Sequence, residues 1–436
     1  MEWYSILLIS FLFIFVLMAT GIPIFIAFLI ANISGVLITL GTRGFGMFSN
    51  SIYETLTSET FVTIPLFVLM GEILFRSGSV DVLSKALDKW IGNIKGRMYY
   101  LVVGLSTIFG ALSGSAAAVA AMLGRSILPQ MEKLGYNIKL TNFTILGGAS
   151  LAPIIPPSLF VIVIGSLVRD TSISALLIAG IIPGVILALV LCLYIFYKIR
   201  NNKDLVPKSE NVEIKYTFKE KLYEIIKVSP FLIVILSVMG LILLGVATPS
   251  EAAASGVVGA IITSAIYRSC SVSMIWQSLK SSSKISIMII IIVASSKLFS
   301  QLLSFSGATS GLINFVSDLS INDWIMFLVL MAIPFFLCMF IDQFAFLLLA
   351  IPLYEPIVKQ FDFDPIWFWT IFLINLTVGS LTPPFGYTLF SLKGAAPNIL
   401  ISDIYKSAWP VVGIFILAMC IFSIFPEIIT WLPSYL

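Results

Sequence analysis

Histidine is absent from the 436-residue sequence, and cysteine is rare, with four residues. Without histidine the chain cannot contain a histidine metal ligand, a histidine proton relay or a serine–histidine catalytic pair. The four cysteines lie far apart, in or beside apolar segments, which argues against a disulfide framework and against a cysteine metal cluster. A basic segment before the first apolar run is also missing, so we expect no cleavable signal peptide.

Charged residues are scarce as well, since they make up 11% of the chain, whereas hydrophobic residues make up 59% and the mean hydropathy is +1.07. A soluble core could not bury so much apolar surface. Apolar runs such as 22–40 and 231–246 belong to segments of about 20 residues, the length that a helix needs to cross a bilayer. The sequence therefore predicts an all-α polytopic membrane protein.

The tripeptide Ser113-Gly114-Ser115 interrupts an apolar segment that extends from residue 98 to residue 128. Gly and Ser weaken helical geometry, and a serine side chain competes for backbone hydrogen bonds. Inside a bilayer, non-helical backbone is stable only where it is buried in protein or lines a polar cavity. We therefore predict a re-entrant hairpin whose tip could hold an ion or solute. An isolated break of this kind would instead favour close helix packing.

The second half of the chain repeats the pattern of the first. In each half a polar hairpin tip is followed after 14 residues by a proline, and that proline after 27 residues by a Pro-Pro pair. The tips are Ser115 and Asp342, and the pairs are Pro156-Pro157 and Pro383-Pro384. Prolines cannot continue a helix, so each half contains a predicted broken helix. Breaks at corresponding positions of two repeats indicate a transporter's binding site, which favours a functional role for both tips.

A hydrophilic linker, 198–228, separates the two predicted repeats, 1–197 and 229–436. If this linker is cytoplasmic, ten crossings and two hairpins place 20 of the 25 Lys and Arg residues on its side of the membrane, in agreement with the positive-inside rule. Each half then crosses five times, so the repeats are inverted. Segment 80–94 has one apolar face and is predicted to lie along the interface. The basic residues predicted to lie outside are Arg43, Arg169 and Lys359.

The breaks offer oxygen ligands, from Ser-Gly-Ser, Ser158, Thr382 and freed carbonyl groups, and Asp342 adds a negative charge. Oxygen ligands suit hard cations, whereas half-helix N-termini that point at the same cavity favour an anion. The residues therefore predict sodium together with an organic anion.

Four ionisable residues have structural alternatives. A buried acid such as Asp342 is costly in a membrane, which favours a functional role, but an ion pair with Lys297 would also explain it. Lys297 could equally extend its amino group to the interface or neutralise a substrate. Glu72 stands one helical turn before Arg76, and Glu251 stands at the third position of a predicted helix, so a structural role is predicted for both.

Four motifs follow one another along the chain: FGALSGSAAA, APIIPPS, ATPSEAAA and GSLTPPFG. With these motifs in this order over essentially the whole chain, the sequence resembles the large permease subunit of tripartite ATP-independent periplasmic (TRAP) transporters, the DctM-like family. The resemblance implies an elevator-type secondary transporter in the bacterial inner membrane, coupled to sodium. It also implies two protein partners, a small four-helix membrane subunit and a periplasmic substrate-binding protein, besides membrane lipid and a small organic anion.

Carried over by position, the resemblance also implies the site residues. One sodium site would combine the first tip with the first proline break, and the other would combine Asp342 with the second break. The expected sodium-binding residues are Ser113, Gly114, Ser115, Pro156, Ser158, Asp342, Gly379, Thr382 and Gly386. The expected substrate-binding residues are Ser115, Pro157, Ser158, Thr382 and Pro384. The chain departs from many relatives at Val119 and Lys297, so its substrate does not follow from theirs.

These residues leave three candidate functions. The first is a binding-protein-dependent importer of organic acids of the C4-dicarboxylate, sugar acid or sialic acid class, and the second is a stand-alone sodium/carboxylate elevator symporter. The third, an intramembrane serine protease, is disfavoured because the chain has no histidine and no pair of catalytic aspartates. We expect no enzyme activity, no nucleic-acid partner, and no cofactor or metal other than sodium as the coupling ion.

Overall fold

The computed structural model of the chain describes residues 2–168, 171–207, 217–319 and 321–436, and every regular element in these ranges is helical. The prediction of an all-α protein is therefore confirmed for this part of the chain. Residues 208–216 of the predicted linker and Arg169 lie outside the described residues.

Twenty-two α-helices follow one another in these ranges, twelve of them before the linker and ten after it. The first twelve are α1 (Trp3–Ala19), α2 (Ile24–Thr39), α3 (Phe45–Thr57), α4 (Glu59–Arg76), α5 (Ser79–Ile91), α6 (Arg97–Ser113), α7 (Ala116–Ser126), α8 (Leu128–Leu134), α9 (Ile138–Ala149), α10 (Leu159–Leu167), α11 (Ile173–Ala179) and α12 (Ile181–Asn201). The other ten are α13 (Phe218–Leu243), α14 (Pro249–Ile266), α15 (Val272–Phe305), α16 (Ala308–Asp318), α17 (Asp323–Leu337), α18 (Gln343–Gln360), α19 (Pro365–Leu381), α20 (Tyr387–Ala395), α21 (Ile401–Ile424) and α22 (Glu427–Thr430).

Local sequence signals set several of these helix ends. The start of α14 is the predicted one, since the Glu251 carboxylate accepts the Thr248 backbone N–H at 2.8 Å and the Thr248 hydroxyl accepts the Glu251 N–H at 3.3 Å. Helix α5 lies between Gly78 and Gly92, whose φ angles of 77° and 61° favour glycine. The predicted amphipathic segment 80–94 is thus a helix that ends three residues earlier than expected.

Within the described ranges, five helical segments are long and apolar enough to cross a membrane, or six if the bent pair 45–57 and 61–76 is one span. The five are Ile173–Asn201, Phe218–Leu243, Pro249–Ile266, Val272–Phe305 and Ile401–Ile424. Four shorter apolar helices, α1, most of α2, α17 and α19, accompany them. These segments are consistent with a multi-pass membrane protein, whereas the count of ten crossings stays a prediction.

The helices pack in two groups. In the first group α4 packs on α14 and α15, α13 packs on α14 and α5, and α15 packs on α2 and α3. In the second group α9 packs on α6, α7 and α21, while α20 packs on α7 and α19 packs on α17 and α21. Helices α6, α10 and α18 lie where the groups meet, since α6 contacts α4 and α5, α10 contacts α4 and α18 contacts α15. The chain breaks predicted from sequence belong to the second group and to this boundary.

Close packing at Gly110 fixes the position of the first hairpin. A Cβ atom at Gly110, near the end of α6, would lie 2.7 Å from the Cα atom of Ala152, in the non-helical segment between α9 and α10. Because glycine has no side chain, α6 can lie directly on that segment. This contact holds the tip at the end of α6 beside the first proline break.

Replacing Gly110 with alanine should therefore destabilise the protein by about 1–3 kcal/mol, the usual effect of overpacking. The matched variant Gly413→Ala, in α21, adds a Cβ atom with nothing within 4 Å of it. It should leave stability unchanged or raise it by up to about 1 kcal/mol, because alanine favours a helix interior. Thermal unfolding of the detergent-purified variants measures both effects. Equal unfolding midpoints would contradict the close approach of α6 to Ala152.

Candidate functional site

The first hairpin tip is a tight turn between α6 and α7. Gly114 has a φ angle of 61°, a conformation that side chains disfavour, and it directs the chain from one helix into the next. Ser115 is the N-cap residue of α7, where its hydroxyl oxygen accepts the Ala118 N–H at 3.4 Å. The Ser113 hydroxyl oxygen accepts the Ser115 N–H at 3.4 Å. The tip is thus held by short polar side chains bonded to their own backbone.

The second tip has the same position relative to its helices. Asp342 is the N-cap residue of α18, and its Oδ1 atom accepts the N–H groups of Phe344 at 3.0 Å and Ala345 at 3.1 Å. Ser115 and Asp342, which the sequence pairs across the two halves, are therefore both N-cap residues that begin the second helix of a tip. They differ in charge, since one cap is neutral and the other is a carboxylate.

Both predicted helix breaks are present as non-helical segments. Between α9 and α10, Ser158 caps α10, where its hydroxyl accepts the Val161 N–H at 3.4 Å and donates to the Pro153 carbonyl at 2.5 Å. Between α19 and α20, the Thr382 hydroxyl donates to the Val378 carbonyl at 2.7 Å. The peptide bonds Pro156-Pro157 and Pro383-Pro384 are both cis.

Each tip lies against one of these breaks. A Cβ atom at Gly114 would lie 2.9 Å from the backbone nitrogen of Leu159, the first residue of α10. A Cβ atom at Gly379, in α19, would lie 2.7 Å from the Cβ atom of Cys338, the residue directly after α17. The rings of Phe340 and Phe385 meet at 5.7 Å between centroids, so the second tip also touches the second break.

A cavity of about 760 Å³ lies beside the tips, within the size range of small-molecule sites. One wall is formed by residues of the two tips and of the helices next to them: Phe109, Ser113, Gly114, Ser115, Ala118, Val119, Met122, Leu159, Phe160, Asp342, Gln343, Phe344 and Tyr387. The opposite wall, from α2, α4 and α15 with the turn before α2, is formed by Ile22, Pro23, Phe25, Val68, Gly71, Glu72, Phe75, Ile285, Met288, Ile289 and Ile292. We call the first the tip wall and the second the frame wall.

Only some of the predicted site residues line this cavity. Ser113, Gly114, Ser115 and Asp342 do so. Six further predicted site residues are buried but do not line the cavity: Pro156, Pro157, Ser158, Gly379, Thr382 and Gly386. Pro384 is exposed and also lies outside the lining, while its carbonyl oxygen accepts a hydrogen bond from the Tyr405 hydroxyl at 2.5 Å.

Two polar residues of the tip wall were missed by sequence reasoning. Gln343 follows Asp342 directly and is 3% exposed, and Tyr387 is the first residue of α20. The sequence did carry a signal for Gln343, because FIDQFAF places two neighbouring polar residues in an apolar run. Tyr387 had no such signal, since it stands among other aromatic residues after the proline break.

The charges near the cavity are mostly paired. The predicted pair between Glu72 and Arg76 is confirmed, with 3.0 Å between Oε2 and Nε, and Glu72 lies on the frame wall. The suggested pair of Asp342 with Lys297 is wrong, because the Lys297 amino group lies 2.8 Å from the Glu54 carboxylate in α3. Among the residues that the structure describes, no lysine or arginine lines the cavity.

Comparison with known proteins indicates the same family as the sequence motifs. The chain is 29% identical to the ectoine/5-hydroxyectoine TRAP transporter large permease protein UehC of Ruegeria pomeroyi, over 87% of this chain and 88% of UehC. It is 28% identical to the C4-dicarboxylate TRAP transporter large permease protein DctM of Pseudomonas aeruginosa, over 88% of each protein.

The fold is similar to that of a solved transporter. The chain aligns with the crystal structure of the YdaH transporter of Alcanivorax borkumensis with a TM-score of 0.61 and 12% sequence identity. The alignment covers 89% of this chain and 90% of the YdaH chain. Residues 11–428 match the family described as the tripartite ATP-independent periplasmic transporter, DctM component. The chain therefore belongs to the DctM component family of TRAP transporters, whose members are the large permease proteins of these transporters.

Proposed function

We propose that the chain is the membrane permease subunit of a sodium-coupled, binding-protein-dependent importer of organic acid anions in the bacterial inner membrane. The observation that carries this proposal is the shared cavity, where Ser113, Gly114, Ser115 and Asp342 meet on one wall. The family match supplies the transporter class. The C4-dicarboxylate, sugar acid and sialic acid classes are the proposed substrates.

The chemistry of the tips supports sodium as the coupling ion. Ser113, Ser115 and Asp342 supply oxygen atoms, and the ends of the broken helices leave carbonyl groups without helical partners. Oxygen atoms are the donors that hard cations prefer. The N-terminus of α7 begins at the same cavity with a neutral cap, and a helix N-terminus favours an anionic group. One cavity thus suits a cation and a carboxylate together.

The packing of the helices supports an elevator mechanism. The cavity lies between the frame wall, which belongs to the first helix group, and the tip wall, which belongs to the second group and its boundary. In the proposed orientation, the frame wall is formed by the cytoplasmic ends of its helices. Pro23 stands at the start of α2, and Phe75 stands at the end of α4. The structure would then correspond to the inward-facing state, and movement of the second group would carry the site outward.

Uptake into proteoliposomes tests the proposed function. The permease is reconstituted with the small membrane subunit and a periplasmic binding protein, and carboxylate uptake is measured under an inward sodium gradient. We expect uptake that needs both the gradient and the binding protein. Uptake that proceeds without the binding protein would instead support the stand-alone sodium/carboxylate symporter.

Replacing Asp342 with asparagine should raise the sodium concentration for half-maximal uptake by about tenfold, a loss of about 1.4 kcal/mol in cation binding. Asparagine is also a good N-cap residue, so α18 should still form. The control is Asp364→Asn, because the exposed Asp364 caps α19 by accepting the Trp367 N–H at 2.8 Å and lies away from the cavity. Equal sodium dependence in the two variants would show that Asp342 is only a helix cap.

Replacing Ser115 with leucine should abolish transport, because the larger side chain fills the cavity beside the first tip and removes a hydroxyl group. Ser126→Leu, at the exposed end of the same helix, is the matched control and should transport normally. The amount of each protein in the membrane is measured alongside uptake. Retained uptake by correctly inserted Ser115→Leu would show that the tip is a packing feature.

A further inference from the structure

Helix α5 and the start of α13 meet at an exposed apolar surface. The indole N–H of Trp90, in α5, donates to the backbone carbonyl of Lys221 at 3.1 Å, while 46% of Trp90 stays exposed. Beside this bond, Ile94 is 54% exposed and Tyr223, in α13, is 59% exposed. Because α13 is long and apolar enough to cross a membrane, we expect its first turns at the bilayer surface. Exposed indole and phenol rings at this level are typical of the membrane interface.

Three lysines surround one buried carboxylate at the same junction. The amino groups of Lys89, in α5, and Lys227, in α13, lie 2.7 Å and 3.1 Å from the same Oε1 atom of Glu224. The Glu224 side chain is 3% exposed, so these two lysines enclose its charge. The third amino group, that of Lys221, pairs with no carboxylate in the described part of the chain. One negative charge therefore faces three positive charges.

The neighbouring acids do not balance this excess. Asp88, in α5, lies 3.6 Å from the Arg97 guanidinium. Glu220, in α13, accepts the Thr217 backbone N–H at 2.8 Å and so caps its own helix. Three further lysines of the two segments are exposed: Lys85, Lys95 and Lys219. The surface at the junction is thus both apolar and positively charged.

Each of the two lysines of α13 lies beside an exposed aromatic ring. The Lys227 amino group lies 4.4 Å from the centre of the Tyr223 ring, and the Lys221 amino group lies 6.0 Å from the centre of the Trp90 ring. At a membrane surface, a lysine extends its amino group toward the headgroups while its stem and the ring contact apolar chains. An ammonium group there attracts phosphate. The chemistry that fits this surface is a phosphate group joined to acyl chains.

We propose that the junction of α5 and α13 is a binding site for an anionic phospholipid. Lys221 and Lys227 bind its phosphate group, and its acyl chains lie on Trp90, Ile94 and Tyr223. In the proposed orientation this lipid belongs to the cytoplasmic leaflet, where it holds the interfacial helix α5 against a crossing helix of the first group. The site is separate from solute and sodium binding, since none of these residues lines the cavity.

Quenching of Trp90 fluorescence by brominated lipids tests the inference. The permease is reconstituted in phosphatidylcholine vesicles that contain increasing fractions of brominated phosphatidylglycerol or of brominated phosphatidylcholine. The Trp90 signal is the difference between the wild type and Trp90→Phe. Phosphatidylglycerol should associate with Trp90 about fivefold more strongly than phosphatidylcholine, or better, because one lysine near a membrane surface contributes about that factor. Molar sodium chloride should reduce this preference, because it screens exposed charges.

Two matched double variants complete the design, each measured against its own Trp90→Phe reference. Lys221→Gln with Lys227→Gln leaves Lys89 paired with Glu224, and should reduce the preference for phosphatidylglycerol to within about twofold. Lys133→Gln with Lys139→Gln removes the same charge from exposed lysines elsewhere on the predicted cytoplasmic side, and should keep the wild-type preference. Thermal unfolding confirms that both variants are folded.

The results separate a specific lipid site from general attraction to the membrane. Equal association of the two lipids with the wild type, or a preference that molar salt leaves unchanged, would overturn the inference. An unchanged preference in the α13 double variant would do the same, and so would its loss in both double variants. Inorganic phosphate that displaces brominated phosphatidylglycerol at millimolar concentration would also overturn it, because the site would then bind soluble phosphate. Since no transport is measured, failure of the proposed function would leave this inference standing.

Discussion

The structure depends on satisfying the backbone groups that each helix break leaves without partners. In an apolar surrounding such groups are costly, and here short polar side chains bond them within the same segment. Ser115 and Asp342 accept N–H groups at the starts of α7 and α18, and Ser158 does so at the start of α10. The residues that mark the breaks in the sequence therefore have a structural role before any role in binding. Because these capping residues hold the backbone of each break in place, the polar groups that stay unpaired there can face a cavity.

The capping residues of the two tips differ in charge, and this difference affects the electrostatic field in the cavity. Ser115 caps its helix without a charge, whereas Asp342 brings a carboxylate. With no lysine or arginine on the walls among the described residues, the helix N-termini and the polar tip residues dominate the local field. A ligand would therefore be oriented by fixed dipoles and by any bound cation rather than by a basic side chain.

The sequence predicted the features that depend on neighbouring residues. Glycine, serine and proline signals located the tip at Ser113–Ser115 and the break around Pro156, and the cap at Glu251 and the pair of Glu72 with Arg76 followed from their spacing. Features that depend on distant contacts could not be predicted. Lys297 pairs with a residue 243 positions away. The frame wall was also missed, because its apolar residues resemble those that face lipid. The sodium ligands and the inverted repeat remain predictions.

The frame wall has one polar residue, Glu72, and its charge is already held by Arg76. Arg76 in turn donates hydrogen bonds to the side-chain amide oxygen of Gln277 at 3.1 Å and to the Ser281 hydroxyl at 2.9 Å, which joins α4 to α15. This wall consequently has few directional bonds to give to a solute or to the facing helices. A surface of that kind opposes displacement only weakly, since no strong polar contact must break as one side passes the other. If the tips move as proposed, a solute that they bind moves with them past the frame wall.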